Sequence, residues 1–252
     1  MEKGTSVAAF FDLDGTLVPL PSLEWRFFRV LRYRKQTGVR NYFLWCVKAV
    51  QLIPGGINQI LHANKMYLRC ISFGEKDLLK VPTFYPEAIE RMVWHAERGH
   101  LIVIVSGTLE PLAERAARAL EAELGERGLA TKICVCATRL EVKYGRCTGR
   151  ILGKAMLGEE KARAVRQIAT EENFDLRRCF AYGDSANDRW MLEVVGKPAA
   201  VNPSNDLARI ARRNDWPVLR WEKEKTFTQS TKSAQRTQRS NESETRVASG
   251  AG

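Results

Sequence analysis

Two acidic clusters, far apart in the sequence, place the strongest constraint on the fold of this chain of 252 residues. The first covers residues 11–17 (FDLDGTL), and the second covers residues 183–188 (GDSAND). Each follows a short apolar run that is typical of a buried strand leading into a loop. Loops at the carboxyl ends of parallel strands meet at one edge of an open sheet. We therefore expect both clusters to line a single pocket.

The carboxylates of the two clusters predict a cation site. Like charges that share a small space cannot all stay ionised without a cation. Carboxylate oxygens, water and a substrate phosphate are the ligands that Mg²⁺ prefers. We therefore predict Mg²⁺ as cofactor, with four metal ligands: Asp12, Asp14, Asp184 and Asp188.

The remaining pattern predicts an α/β fold with a doubly wound parallel sheet. Leu101–Val105 is a continuous apolar run, as expected for a strand buried on both faces. Helical and strand patterns alternate after it, and a hairpin is predicted from Arg139–Val142 and Arg146–Ile151, turning at residues 144–145.

The pattern also divides the chain into three parts. Residues 1–17 and 82–221 form the predicted Rossmann-like core, and residues 18–81 form a helical cap inserted after the first strand. Residues 222–252 are polar and too poor in apolar side chains to fold alone, which predicts a disordered tail. Within the cap, the predicted helices are Leu23–Lys35, Val39–Ile53 and Ile57–Ile71.

Positive charge is concentrated in the predicted cap. Residues 21–80 hold eleven Lys and Arg against three acidic residues, a net charge of +8 out of +11 for the chain, and they are rich in aromatic residues. This pattern fits a solvated basic face, attraction of an anionic substrate, or contact with a membrane surface. No apolar run reaches the roughly 18 to 20 residues of a membrane span. Without a signal peptide before Val7, we expect a cytoplasmic location, with no nucleic-acid partner.

The residues at the predicted sheet edge suit phosphate ester hydrolysis. Asp12 is the candidate nucleophile, which would form an aspartyl-phosphate. Asp14 is the candidate acid and base, swung over the same phosphate by the turn at Gly15. Ser106 and Gly107, between a strand and a helix, are candidates for binding phosphate oxygens, and Lys161 would supply a fixed positive charge.

These motifs, in this order, resemble the four motifs of the haloacid dehalogenase superfamily over residues 7–220. The insert after the first motif and the run Ala137–Val142 are similar to the phosphoserine phosphatase-like branch, subfamily IB. The resemblance implies a Rossmann-like core with a helical cap that closes over the site. It also implies a phosphatase, because Asp14 stands where dehalogenases and ion-pumping ATPases lack an acid.

The resemblance further implies a cap Glu and an Arg that hold the substrate amino acid, and Glu24 and Arg69 are the candidates. Glu24 has a second interpretation, because Ser22 can cap a helix and an acid in the first turn is favoured by the helix dipole.

Together these features predict a Mg²⁺-dependent phosphomonoester hydrolase that acts through an aspartyl-phosphate. Its substrate would be phosphoserine or a related small or amphiphilic phosphate ester. Two alternatives stay open. One is a phosphotransferase on the same scaffold, and the other is a non-catalytic protein whose basic cap binds a membrane or a nucleic acid.

Overall fold

The computed structural model describes residues 7–73 and 82–222, in which a central parallel sheet forms the core of an α/β fold. The strands are β1 (Ala8–Phe11), β2 (Leu101–Leu109), β3 (Ile133–Thr138), β4 (Leu140–Lys143), β5 (Arg146–Ile151), β6 (Phe180–Gly183), β7 (Lys197–Val201) and β8 (Val218–Leu219). Six of them form one sheet in the order β3-β2-β1-β6-β7-β8, with every pair parallel. This order confirms the predicted doubly wound fold. Strands β4 and β5 form the predicted antiparallel hairpin.

Strand β1 lies at the point where the strand order reverses. The chain proceeds from β1 to β2 and β3 on one side, and later adds β6, β7 and β8 on the other. Phe11, the last residue of β1, pairs with Ile104 of β2 and with Tyr182 of β6. The loops that follow β1 and β6 therefore leave the sheet side by side, at the place where open α/β sheets bind ligands.

Helices cover both faces of the sheet and fill the long connection between β1 and β2. They are α1 (Leu23–Tyr33), α2 (Val39–Leu52), α3 (Ile57–Ala63), α4 (Pro86–Ala96), α5 (Glu110–Glu126), α6 (Glu159–Glu171), α7 (Arg189–Glu193) and α8 (Asn205–Arg213). Not one of these described helices combines the length and apolar character needed to cross a lipid bilayer.

The side chains of β1 alternate between two apolar cores. Ala9 and Phe11 contribute to one core, and Ala8 and Phe10 contribute to the other. All four are fully buried, as expected for a parallel strand covered on both faces. The buried face of α1, at Leu23, Phe27 and Leu31, joins the same core as Phe11. Helix α1 is thereby anchored against the interior.

The predicted third cap helix is too long, because α3 ends at Ala63. Asn64 adopts an extended conformation, and its side-chain oxygen accepts from the backbone N–H of Met66 (3.3 Å), a local bond that competes with the helix. Further on, the backbone of Cys147 in β5 accepts from Cys70 (2.8 Å) and donates to Ile71 (2.8 Å). These tertiary bonds replace the helical bonds that the sequence pattern predicts.

The structure describes most of the predicted core and cap but almost none of the predicted tail. The described residues through Glu222 belong to one compact unit, and the separation of a cap over residues 18–81 from the core stays a prediction. Residues 74–81 of that cap lie outside the described residues. The predicted disordered tail also lies outside them, apart from Glu222.

Candidate active site

The loop after β1 places Asp12 and Asp14 at the carboxyl edge of the sheet. The backbone N–H of Asp12 donates to the carbonyl of Tyr182 (2.9 Å), which extends the pairing of β1 with β6 into the loop. Gly15 then turns the chain with a φ of +96°, a conformation that favours glycine. A Cβ atom on Gly15 would lie 2.1 Å from Oδ2 of Asp184. The missing side chain therefore lets the two acidic loops approach each other.

Asp188 holds the loop after β6 in place. Its Oδ2 accepts hydrogen bonds from the hydroxyl of Ser185 (2.7 Å) and from the backbone N–H groups of Ser185 (2.9 Å) and Asp184 (3.2 Å). Gly183 permits this arrangement, since a Cβ atom there would lie 2.5 Å from the Cβ of Asp188. The carboxylate of Asp184 accepts no hydrogen bond within residues 7–73 and 82–222, so it is available to a ligand.

Lys161, on α6, is a buried cation that joins the two acidic loops. Its Nζ lies 2.5 Å from Oδ1 of Asp12 and 2.5 Å from Oδ1 of Asp188, and its side chain is 2% exposed. Burial opposes its charged form, but the attraction of the two carboxylates raises the pKa of Lys161. Lys161 therefore stays protonated between them.

Negative charge still exceeds positive charge at this edge of the sheet. One ligand oxygen from each of Asp12, Asp184 and Asp188 lies within 4.8 Å of the others. Burial raises the pKa of Asp12 to about 7 and that of Asp184 to about 9, and the neighbouring carboxylates add to both shifts while Lys161 opposes them. Three carboxylates, of which Asp12 and Asp188 are buried and Asp184 is half-buried, therefore require more positive charge than one lysine supplies in order to ionise together. A hard divalent cation fits this oxygen-only set of ligands.

Asp14 borders the same cavity but lies outside that group of three carboxylates. Its Oδ1 accepts a hydrogen bond from the backbone N–H of Leu23, the first residue of α1 (2.7 Å). Burial raises the pKa of Asp14 to about 6, although the bond from Leu23 opposes the shift. The structure thus does not bring this carboxylate to the other predicted metal ligands. It leaves Asp14 able to carry a proton near neutral pH.

Ser106 and Gly107 lie near the carboxyl end of β2 and line the same cavity as Asp12. Ser106 is buried, and its Oγ accepts from the backbone N–H of Thr108 (3.2 Å). The hydroxyl of Thr108 is buried at the cavity wall without a hydrogen-bond partner in the described chain. Such an unpaired donor is typical of a site for a polar ligand. Sequence reasoning missed Thr108, because a threonine that follows an apolar run is commonly a core residue.

A cavity of 620 Å³ extends from these polar residues between the helices of the insert. Its polar end contains Asp12, Asp14, Ser106, Lys161 and Asp184. Its remaining walls are largely apolar and come from Leu20, Trp25, Phe28, Tyr42, Trp45, Tyr67 and Leu157. Trp25 and Phe28 on α1 are three residues apart, as are Tyr42 and Trp45 on α2. This spacing predicts that each pair shares one face of its helix, but it does not show whether that face lines a pocket or packs in a core.

The two predicted substrate-binding residues have different positions. Glu24 borders the cavity in the first turn of α1, which Ser22 caps as the sequence predicts. Its Oε1 accepts hydrogen bonds from the hydroxyl of Tyr67 (2.6 Å) and from Nζ of Lys65. Arg69 is not among the described residues that line the cavity, so the structure does not bring it to the site.

Comparisons with known sequences identify relatives that share this site region. A profile of haloacid dehalogenase-like hydrolases matches residues 9–193, which include all the acidic residues of the site and Lys161. A protein from Streptomyces azureus named "Inhibition of morphological differentiation protein" is 32% identical over 229 residues, covering 84% of this chain and 77% of its own. In Mycobacterium tuberculosis, a probable phosphatase is 35% identical over 227 residues (84% and 74% covered). A phosphoserine phosphatase of that organism is 30% identical over 234 residues (84% and 70%).

Solved structures share the fold. A protein of unknown function from Bordetella pertussis matches with a TM-score of 0.64 at 28% identity, covering 86% of this chain and 99% of that chain. A phosphoserine phosphatase solved as an analogue of its phospho-aspartyl intermediate matches with a TM-score of 0.59 at 23% identity, covering 88% and 96%. At 23% identity, the similarity to the phosphoserine phosphatase structure supports the fold alone.

Proposed function

Because the chain belongs to the haloacid dehalogenase-like hydrolase family, we propose that it hydrolyses phosphate monoesters through a phosphorylated Asp12, with Mg²⁺ as cofactor. The observation that carries this proposal is the group of Asp12, Asp184 and Asp188 at the polar end of the cavity, in which Lys161 joins Asp12 to Asp188. Relatives named as phosphatases support a phosphate ester as the substrate.

We assign the direct hold on the cation to Asp12 and Asp184. The carboxylate of Asp184 accepts no hydrogen bond within residues 7–73 and 82–222, and Oδ1 of Asp12 accepts only from Lys161, which leaves it a second lone pair for the cation. Both oxygens of Asp188 accept hydrogen bonds, so this residue would hold the loop around the cation. When bound, Mg²⁺ would neutralise the carboxylates and the phosphate oxygens and so favour nucleophilic attack on phosphorus.

Asp12 would act as the nucleophile. Its Oδ1 would be held by Lys161 and the cation, and its Oδ2 is then free to attack the phosphorus atom. The bond from phosphorus to the leaving oxygen breaks as the bond to Asp12 forms. In the second step, water attacks the same phosphorus atom, which releases inorganic phosphate and restores the carboxylate of Asp12.

Asp14 would move the protons of both steps. Its raised pKa, about 6, keeps part of the residue protonated near neutral pH, so it can donate a proton to the leaving oxygen. The resulting carboxylate then takes a proton from the attacking water. The hydrogen bond from the backbone N–H of Leu23 fixes one of its oxygens and leaves the other for this transfer.

The end of β2 would bind the phosphate oxygens. Ser106 and Thr108 place hydroxyl groups at the cavity wall, and Gly107 lies between them with its backbone N–H. The hydroxyl of Thr108 has no partner within the described residues, so a phosphate oxygen would satisfy it.

Turnover of p-nitrophenyl phosphate tests this proposal. We expect turnover that requires Mg²⁺, is lost with chelator, and is lost in Asp12→Asn with the fold retained. Alcohol acceptors added to the assay distinguish a hydrolase, which releases inorganic phosphate only, from a phosphotransferase, which forms the new ester. Undiminished activity of Asp12→Asn would contradict the assigned nucleophile.

We also propose that α2 contacts an anionic membrane surface. This helix has no buried residue, and a stripe of Val39, Phe43, Val47 and Val50 is 41 to 86% exposed within a strongly basic segment. An apolar helix face with neighbouring positive charge is typical of helices that lie on anionic lipid. Flotation with vesicles tests it: binding should require phosphatidylglycerol and be lost in Phe43→Ser. Binding to neutral vesicles alone, or to none, would refute it.

A further inference from the structure

A buried lysine neutralises Glu24 at the wall of the cavity. Lys65 is fully buried, does not line the cavity, and donates to Oε1 of Glu24. The hydroxyl of Tyr67 donates to the same oxygen (2.6 Å). Burial raises the pKa of Tyr67 well above 10, so this hydroxyl stays neutral and remains a donor. The charge of Glu24 is thus matched by Lys65 before any substrate enters.

Glu24 cannot easily exchange Lys65 for a cation of the substrate. The ammonium group of Lys65 has no exposed surface, so loss of its carboxylate partner would leave an unpaired charge in the interior. Removing one partner of a buried ion pair is strongly unfavourable, because the other charge stays buried without a counter-charge. A substrate ammonium group at this position would therefore meet a carboxylate whose charge is already compensated.

The cavity also lacks a partner for a substrate carboxylate. No arginine is among the described residues that line it, and the basic residues among them are Lys161 and His62. Lys161 is bound between Asp12 and Asp188. Burial, with a contribution from Lys65, lowers the pKa of His62, so this ring is neutral at pH 7. The carboxylate of an amino acid would therefore be unpaired in this cavity, and its ammonium group would meet only the compensated carboxylate of Glu24.

The walls instead offer a packed aromatic surface. Phe28 lies edge-on to Tyr67, with ring centroids 5.3 Å apart, and also to Tyr42 at 6.5 Å and Trp25 at 6.4 Å. These side chains come from α1, α2 and the turn Met66–Leu68, and they pack against one another. A preformed aromatic wall favours an apolar group, because binding removes apolar surface from water.

We propose that the Lys65–Glu24 pair sets the specificity of this cavity: it admits phosphate monoesters with an uncharged, apolar organic group and disfavours amino-acid phosphates such as phosphoserine. Lys65 acts as a positioning residue, through Glu24. This inference rests on the proposed function, since it names the substrate class of the same site.

Binding of two phosphonates tests the specificity without requiring turnover. The probes are hexylphosphonate and the phosphonate isostere of phosphoserine, titrated with Mg²⁺ while the fluorescence of the cavity residues Trp25 and Trp45 is followed. We expect hexylphosphonate to bind more tightly by roughly tenfold or more, since the charged groups of the isostere lack partners. Equal binding, or preference for the isostere, would overturn the inference.

Turnover of hexyl phosphate and phosphoserine separates this inference from the proposed function. If neither ester is hydrolysed but hexylphosphonate is preferred, the phosphatase mechanism fails and the specificity stands. If phosphoserine is the better substrate by kcat/KM, the mechanism stands and the specificity is wrong.

Two variants test the role of the ion pair. In Lys65→Met, the uncompensated Glu24 should attract the ammonium group and reduce the preference for hexylphosphonate by roughly tenfold. Lys143→Met is the matched control, because Lys143 pairs with Glu141 (3.4 Å) on the exposed hairpin, and its preference should equal that of the wild type. If Lys65→Met does not fold, the double variant Glu24→Leu/Lys65→Met removes both charges and should retain the preference. A loss of preference in the double variant would contradict the proposal.

Discussion

Nζ of Lys161 lies 2.5 Å from Oδ1 of Asp12, although 149 positions separate the two residues in the chain. The contact joins α6 to the loop after β1, and both side chains are almost fully buried. The proposed nucleophile and the fixed cation of the site are thus positioned by packing of the whole sheet.

Lys161→Met should reduce both activity and stability. Without this lysine, Asp12 and Asp188 lose their buried counter-charge, which we expect to lower the free energy of unfolding by about 3–5 kcal/mol. Lost stabilisation of the phosphoryl group should lower kcat/KM by a factor of about 10² to 10³. Urea unfolding and steady-state kinetics measure the two effects.

Lys154→Met is the control for that experiment, because Lys154 is exposed and pairs with Glu160 at the surface (3.0 Å). We expect it to change the free energy of unfolding by at most about 1 kcal/mol. Equal losses in the two variants would show that Lys161 has no special role.

Gly15→Ala should weaken the metal site. A Cβ atom on Gly15 would overlap Oδ2 of Asp184 at 2.1 Å, so the carboxylate would have to move. We expect the Mg²⁺ concentration for half-maximal activity to rise roughly tenfold or more, as when the supporting contacts of a metal site are lost. Gly125→Ala is the control: its Cβ meets open space in α5, and alanine there should stabilise the protein by about 0.5–1 kcal/mol. Unchanged Mg²⁺ dependence of Gly15→Ala would refute the predicted overlap.

Substitutions of Asp184 and of Asp188 should change the stability of the protein in opposite directions. With chelator present, Asp184→Asn should be more stable than the wild type, because it removes a carboxyl group whose ionisation is opposed by burial and by the neighbouring carboxylates. Asp188→Ala should be less stable, by about 1 kcal/mol for each hydrogen bond of the loop that is lost. Thermal unfolding measures both effects.

Added Mg²⁺ should then stabilise the wild type by about 2.7 kcal/mol at a hundred times its dissociation constant. The same addition should leave the melting temperature of Asp184→Asn almost unchanged. Equal stabilisation of both proteins by Mg²⁺ would mean that Asp184 does not hold the cation.

His95 should make the stability fall in mild acid. Its Nε2 lies 3.0 Å from the hydroxyl of Tyr182, and its Nδ1 lies 2.8 Å from Nδ1 of His100. Burial is the main cause that lowers the pKa of His95 from 6.5 to about 3. Positive charge adds to this shift and comes from His100, Arg91, Arg98 and Lys197.

The unfolded chain therefore binds a proton at this histidine from about pH 6.5 downwards, while the folded chain does not until about pH 3. Stability is lost as the pH falls through this range, by about 2 kcal/mol at pH 5 from one such group. In His95→Gln this part of the pH dependence should disappear. Unfolding by urea from pH 7.5 to pH 5 measures the difference, and parallel curves for both proteins would contradict it.

The sequence determined the framework of the fold, because a strand buried on both faces must be apolar throughout. The runs of β1 and β2 satisfy this condition, and the acidic clusters mark where β1 and β6 end. The extent of α3 could not be predicted in the same way. Its apolar pattern continues past Ala63, but the backbone of residues 70–71 bonds to Cys147, a partner that local spacing does not reveal.

For the site, the sequence predicted which residue types gather at the sheet edge, since parallel strands direct their following loops to one side. Asp12, Lys161, Asp184 and Asp188 do lie together there. The sequence did not separate Asp14 from this group, because its direction depends on the backbone N–H of Leu23 at the start of α1.

The surroundings of the substrate were decided only by the tertiary structure. Glu24 and Lys65 are 41 residues apart, and nothing in the spacing of either residue shows that one neutralises the other. The hydroxyl of Thr108 and the aromatic wall acquire their positions in the same way, through packing. Local spacing determines which residues leave a strand or share a helix face. The pairing and burial of charge depend on which segments meet, and that is a property of the folded chain.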